Sequence, residues 1–263
     1  MEYTEINRDA WNKKTAVHIE SEFYDNESFL QGKNTLKEIE LGFLGDITGK
    51  TILHLQCHFG QDTISMSRMG AKVTGVDFSD VAIEKAREFA LRLETDTRFI
   101  RSDVYDLPDV LDEKFDIVYT SYGVIGWLPD MKRWAEVVAR FMKPGGLFVF
   151  VEFHPFVYTF DDEVKKVTYR YFTSESIIEE MSGSYADRNA GVIYSTVSWN
   201  HSLSEVIDNL LRAGISLTRF EEFDYSPYNC FINMIKVDKD KYRIAHMRDM
   251  IPLTYALKGE MRK

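Results

Sequence analysis

Thr51-Ile52-Leu53-His54-Leu55-Gln56-Cys57-His58-Phe59-Gly60 is the stretch on which the fold turns. Its first five residues are a short, mostly apolar run, the mark of a strand buried on both faces. Gly60 closes a turn, and residues 62–69 read as a helix ended by Gly70. The same alternation continues downstream. Residues 72–77 are a strand, Ser79 is a candidate N-cap, and 81–93 are a helix. Residues 98–101 and 114–119 are strands, 132–141 a helix, and Lys143-Pro144-Gly145-Gly146 a turn before a strand over 147–152. Strands and helices alternating at this spacing call for an α/β fold, a doubly wound, mostly parallel sheet with right-handed crossovers.

Upstream, 7–19 and 35–44 carry helical patterns, with Trp11, Ala16 and Ile19 in the first and Leu36, Ile39 and Phe43 in the second. Downstream, 153–200 mix aromatic, β-branched and charged residues around the turns Ser182-Gly183-Ser184 and Asn189-Ala190-Gly191, as in an insertion containing strands or a hairpin. Order returns with a helix over 203–213, capped by Ser202 or Ser204. A strand over 215–223, a polar and aromatic loop, and a last element over 252–257 complete the chain. The expected organisation is one domain over 1–263. It comprises an N-terminal helical cap (1–50), a cofactor-binding core (51–152), an insertion or lid facing the substrate (153–200), and the C-terminal part of the sheet (201–263).

Composition limits the classes of function. The 263 residues include 42 acidic and 32 basic ones, a net charge of −10 that repels phosphate backbones, so no nucleic-acid partner is expected. No stretch is long and apolar enough for a membrane span, and residues 1–9 lack the basic start of a signal peptide. The two cysteines, Cys57 and Cys230, make no disulfide framework, and a cytoplasmic location is expected. His54, Cys57 and His58 lack a second ligand pair, so no metal is expected.

In an open α/β sheet, ligands sit beyond the C-terminal ends of the strands. After the first strand come Gln56, Cys57, His58 and Gly60, at a helix N-terminus suited to an anionic group. Asp77 ends the second strand seventeen residues after Gly60, near the offset of roughly 20 at which an acid accepts from ribose hydroxyls. Asp103 follows the third strand. Three strand ends thus carry polar groups suited to an adenosine-containing cofactor.

These residues, with Val73-Thr74-Gly75-Val76-Asp77-Phe78-Ser79, Ser102-Asp103-Val104, Phe115-Asp116-Ile117-Val118-Tyr119 and the Lys143–Gly146 turn, resemble the ordered motifs of the class I S-adenosylmethionine-dependent methyltransferases. The resemblance implies a Rossmann-like, seven-stranded sheet with an antiparallel last strand, and S-adenosyl-L-methionine as cofactor. It assigns the Gly60 turn, with Gln56, Cys57 and His58, to the methionine end. Asp77 then takes the ribose, Phe78 lies beside the adenine, and Asp103 and Val104 meet the adenine edge. Thr120, Ser121 and Tyr122 form the far wall, and the Trp11 helix folds over the cofactor. The chain departs from the family at the first turn, with His54 where an acid is usual and Gln56 and His58 where glycines are usual.

The implied activity is methyl transfer to a small-molecule acceptor, which requires alignment and, for a protonated nucleophile, a base. Tyr122, His154 and His201 are the candidate catalytic residues, with Glu152 also near the strand tips. Two rivals are a cofactor-binding protein without catalysis and a nicotinamide-dependent oxidoreductase. The Lys143–Gly146 turn and the lack of a full Gly-x-Gly-x-x-Gly oppose the second. Neither the acceptor nor an oligomeric state is written in these motifs.

Overall fold

The computed structural model describes residues 2–172 and 175–262. Met1, Thr173, Ser174 and Lys263, which fall in the expected cap, insertion and C-terminal part, lie outside the described residues. The strands are β1 (Thr51–Leu55), β2 (Lys72–Asp77), β3 (Arg98–Arg101), β4 (Phe115–Ser121), β5 (Met142–Phe153), β6 (Ile177–Ser182), β7 (Ile193–Ser198), β8 (Ile215–Phe223), β9 (Met234–Asp238), β10 (Lys241–Ile244) and β11 (Thr254–Met261). The helices are α1 (Tyr3–Glu20), α2 (Asn26–Leu30), α3 (Glu38–Leu44), α4 (Gln61–Arg68), α5 (Asp80–Arg92), α6 (Leu107–Val110), α7 (Met131–Phe141) and α8 (Leu203–Arg212).

Seven strands form one sheet in the order β3-β2-β1-β4-β5-β11-β8. β1 to β5 run parallel, and β11 lies antiparallel between β5 and β8. The order reverses between β1 and β4, opening the crevice that α/β sheets use for ligands. Alternate residues of β1 face opposite layers, as a strand buried on both sides requires. Leu53 and Leu55 pack in a core with Trp134 and Val138 of α7 and Val206 and Leu210 of α8. Ile52 packs with Ile39 and Phe43 of α3 and Met66 of α4. Buried Met131, Trp134, Val138 and Phe141 form one helical stripe on α7, and Asp130 caps it by accepting from the Arg133 N–H at 2.9 Å. Ser79 and Ser202 cap α5 and α8 in the same way.

The parallel strands fall where the sequence puts them except for a longer β5, and the other differences lie outside the core. α1 runs four residues further back than the expected 7–19, and the expected 35–44 helix is confined to α3 after a separate short α2. β5 starts at Met142, because the Lys143–Gly146 turn is absorbed as a register jump from Phe115↔Met142 to Ile117↔Leu147. The expected hairpin in 153–200 is β6–β7. A second hairpin, β9–β10, replaces the expected loop after β8. It belongs to a segment that packs against the start of the first insertion through Val157, Val164, Ile244, Ile251 and Leu253. Among the described residues, no helix is long and apolar enough to cross a membrane.

Candidate cofactor site

The turn after β1 is held in a shape that glycine would adopt freely. Gln56 and His58 both occupy the left-handed region, with φ of 54° and 52°. That costs a side-chain-bearing residue on the order of 1 kcal/mol or more, and their side chains compensate. The Gln56 amide donates to the Val124 carbonyl at 2.9 Å, tying the β1 turn to the β4 turn. The His58 ring nitrogen Nε2 lies 3.2 Å from the Thr15 hydroxyl and 3.3 Å from His18 Nδ1, both on α1. Burial pushes the His58 pKa down to about 3, so the ring is neutral. Gly60 at φ 79° has no substitute: an added Cβ would stand 2.6 Å from the Phe99 ring. Cys57 packs beneath the turn among Phe59, Ala86 and Phe99, and burial raises its thiol pKa well above the ordinary value, which makes it unreactive.

Asp77 organises the same turn from the neighbouring strand. Its carboxylate accepts from the His58 N–H at 2.8 Å and the Ser79 N–H at 2.9 Å. Burial pushes its pKa up to about 6, against the pull of the Ser79, His58 and Phe78 N–H groups. Asp103 accepts from the Tyr105 N–H at 2.8 Å, and burial raises its pKa too. Asp77 and Asp103 both face a cavity of about 380 Å³ over the ends of β1 to β4. That volume is in the range of small-molecule sites.

The lid over this cavity comes from remote segments. Asn7 on α1 donates to the Val197 carbonyl at 2.7 Å and accepts from the Val197 N–H at 2.9 Å, so α1 pairs with β7 as a strand would. Asn12 accepts from the Ser79 hydroxyl at 2.7 Å, bolting α1 to the start of α5. His18 Nε2 lies 2.6 Å from the Ser184 hydroxyl, and the Tyr24 and Tyr185 hydroxyls meet at 2.6 Å. Trp11 crosses the Trp127 ring at 5.5 Å. Lys14 is buried between them, its ammonium 4.1 Å from the Trp11 ring centre and 5.1 Å from that of Trp127. Burial pushes its pKa down to about 7.

Residues 52–146 match the family model described as a methyltransferase domain. The match covers the strand-end part of the chain, from β1 to the start of β5. A ubiquinone biosynthesis O-methyltransferase of Alkalilimnicola ehrlichii is 36% identical over 107 residues, 41% of this chain and 43% of that protein. One from Vibrio cholerae is 26% identical over 64% of this chain and 67% of its own length. The chain spans about half the length of several curated relatives it matches. Among solved structures, an S-adenosylmethionine-dependent methyltransferase from Mesorhizobium loti superposes with a TM-score of 0.57 at 21% identity, over 88% of this chain and 99% of that one. Another from Clostridium acetobutylicum reaches 0.58 at 13% identity, over 98% and 99%. These two establish the shared fold.

Trp11, Gln56, Cys57, His58, Gly60 and Asp77 all line this cavity, as do Phe78, Asp103, Val104, Ser121 and Tyr122. Thr120 does not: its hydroxyl donates to the Leu55 carbonyl inside the sheet. His154 lies outside the cavity, its ring 2.8 Å from Glu222 of β8 and its N–H donated to the Leu253 carbonyl. β5 has ended by then, so residue 154 turns toward the sheet edge rather than the crevice. His201 also lies outside, its ring against the Leu128 carbonyl at 2.8 Å and Glu205 at 3.2 Å, where it packs the start of α8. Among the described residues, no group of three or more His, Cys, Asp or Glu side chains is placed to hold a metal.

Glu152 does structural work beneath the site. Its buried carboxylate accepts from the N–H groups of Gly123, Val124 (2.8 Å) and Ile125 (3.3 Å), fixing the turn after β4. Tyr122 leaves that turn and donates to Glu40 of α3 at 2.9 Å. Burial, then the nearby Asp62 charge, pushes the Glu40 pKa up to about 7. Sequence reading missed Glu40, Asp62 and Lys14, each an ordinary charge on a helical segment. It also missed Tyr185, Cys230 and Phe231, which reach the cavity from the two inserted segments. The detectable trace was Lys14 beside Trp11 on a helix already expected to cover the site.

Proposed function

We propose that the protein is a cytoplasmic methyltransferase that transfers the methyl group of S-adenosylmethionine to a small-molecule acceptor. On this reading 51–152 bind the cofactor, 1–50 cap it, 153–200 form the lid and 201–263 complete the sheet. The observation that carries it is the buried Asp77 carboxylate, facing the cavity at a strand end and joined to the turn below it. The residues suit the cofactor: a carboxylate for the ribose at Asp77, a half-buried acid at Asp103 for the adenine edge, and a cavity of fitting size. The chemistry supplied on binding is an electrophilic methyl group for in-line displacement.

The chain's own part is alignment, exclusion of water and proton handling. Phe78 and Val104 flank the adenine position, the Gly60 turn receives the methionine end, and Ser121 and Tyr122 wall the opposite side. Trp11 closes the cavity from α1. For an acceptor that must lose a proton, the Tyr122 hydroxyl takes it while passing its own to Glu40.

Calorimetric titration with S-adenosylhomocysteine tests the reading. Saturable binding is expected, weakened about 100-fold in Asp77→Ala, which loses hydrogen bonds to a charged group. Methyl transfer across a panel of small hydroxy, amino and carboxylic acids is the second measurement. No binding at millimolar S-adenosylmethionine or S-adenosylhomocysteine overturns the proposal.

A further inference from the structure

The lid buries a charge that the fold itself leaves unanswered. Lys14 is 6% exposed. Among the described residues, its ammonium has no hydrogen-bonding or ion-pairing partner, although it lines the cavity. Four aromatic rings surround it: Trp11 and Trp127, then Tyr185 at 5.4 Å and Tyr194 at 5.8 Å. Cation–π attraction of roughly 0.5–2 kcal/mol per contact does not replace hydrogen bonds lost to three ammonium protons. The titratable groups facing it are His18 of the same helix and His58 of the β1 turn, both held neutral by burial. No carboxylate counters the burial that lowers its pKa.

We propose that the acceptor carries a carboxylate on an apolar or aromatic body, and that Lys14 anchors that carboxylate inside the aromatic box. The proposal rests on the methyltransferase reading for the word acceptor. A bound carboxylate supplies what the ammonium lacks, a charged hydrogen-bond acceptor within a dry site. The surrounding rings, with Phe153, Tyr158 and Phe231 further along the wall, suit an apolar body. The cofactor's own carboxylate shares this chemistry. Three of the four cage rings and Lys14 itself lie outside 52–146, the part shared with the family model, which favours the acceptor.

Benzoate and benzamide, nearly equal in shape and different in charge, are the probes. Each is titrated by calorimetry into full-length protein saturated with S-adenosylhomocysteine, and into protein alone. Benzoate is expected to bind about tenfold or more tightly than benzamide, the worth of a buried charge-assisted hydrogen bond. Lys14→Met removes the preference and Lys14→Arg retains it, with S-adenosylhomocysteine affinity changed by less than about threefold in either. Near pH 8, above the Lys14 pKa of about 7, benzoate binding takes up protons, read as a buffer-dependent enthalpy, and Lys14→Met takes up none. Equal binding of the two probes, or binding of neither, overturns the proposal. So does a Lys14→Met variant that loses S-adenosylhomocysteine and keeps the benzoate preference, since Lys14 would then serve the cofactor. A benzoate preference in protein that binds no S-adenosylhomocysteine sustains the anchor and sinks the methyltransferase reading, so the two failures are separable.

Discussion

The two halves of the cavity are made in opposite ways. Asp77, Asp103 and the Gly60 turn stand at consecutive strand ends, each placed by the strand it terminates. The lid half joins residues far apart in the chain, Asn7 with Val197, His18 with Ser184, and Tyr24 with Tyr185. Strand-end residues inherit their position from the sheet, so this half can stay constant while the other varies. Lid residues are joined to one another and touch the strand-end half at a few points, such as Asn12 with Ser79 and His18 with His58, so a change there should alter the cavity more than the fold.

Gly60→Ala should break the strand-end half most severely. The added Cβ meets the Phe99 ring at 2.6 Å in a left-handed backbone, combining overpacking with dihedral strain. The expected loss is about 3–4 kcal/mol of global stability, measured by urea denaturation. A loss under about 1 kcal/mol would mean that the turn relaxes and that Gly60 is not what fixes it.

Asn7→Ala should strike the lid half and leave the sheet. It removes the side chain that satisfies both backbone groups of Val197, leaving a buried N–H and C=O unpaired. About 2 kcal/mol is expected, seen as faster hydrogen exchange confined to α1 and β6–β7. S-adenosylhomocysteine affinity should fall by less than about fivefold. Exchange rising equally in β1 and β4 would show that the halves are not separable units.

The division also explains what could be read in the sequence. Four of the five parallel strands announce themselves because each is a largely apolar run bounded by local turn residues, the short β3 follows from its place in the alternation, and Asp77 and Asp103 follow from strand ends alone. His154 and His201 looked equally well placed by that rule. Each follows the end of an element by a residue or precedes the next, where the backbone has left the crevice and the ring is taken up by Glu222 or the Leu128 carbonyl. Lys14 was illegible for the converse reason. A lysine on a helix is ordinarily solvated, and only the rings of Trp127, Tyr185 and Tyr194, more than 100 residues away in sequence, make it buried. The β9–β10 hairpin escaped because its strands are short and interrupt their apolar residues with charged ones, Lys236 and Asp238 in β9 and Lys241 and Arg243 in β10, so no apolar run marked them.

Gln56 tests the smallest difference between the halves, because it is one of two residues in the β1 turn, with His58, that hold a left-handed backbone without being glycine. At φ 54° it carries strain that glycine would not, and its Oε1 is buried without a partner. Against those costs stands its hydrogen bond to the Val124 carbonyl, which joins the β1 turn to the turn that Glu152 organises. Gln56→Gly removes the strain and the orphaned oxygen, and also leaves the Val124 carbonyl without its donor. The terms are each about 1 kcal/mol and opposite in sign, so the net change in unfolding free energy should stay within about 1 kcal/mol. A loss above about 2 kcal/mol would show that the tie between the two turns outweighs the strain. The glutamine would then be a structural replacement for glycine rather than a tolerated one.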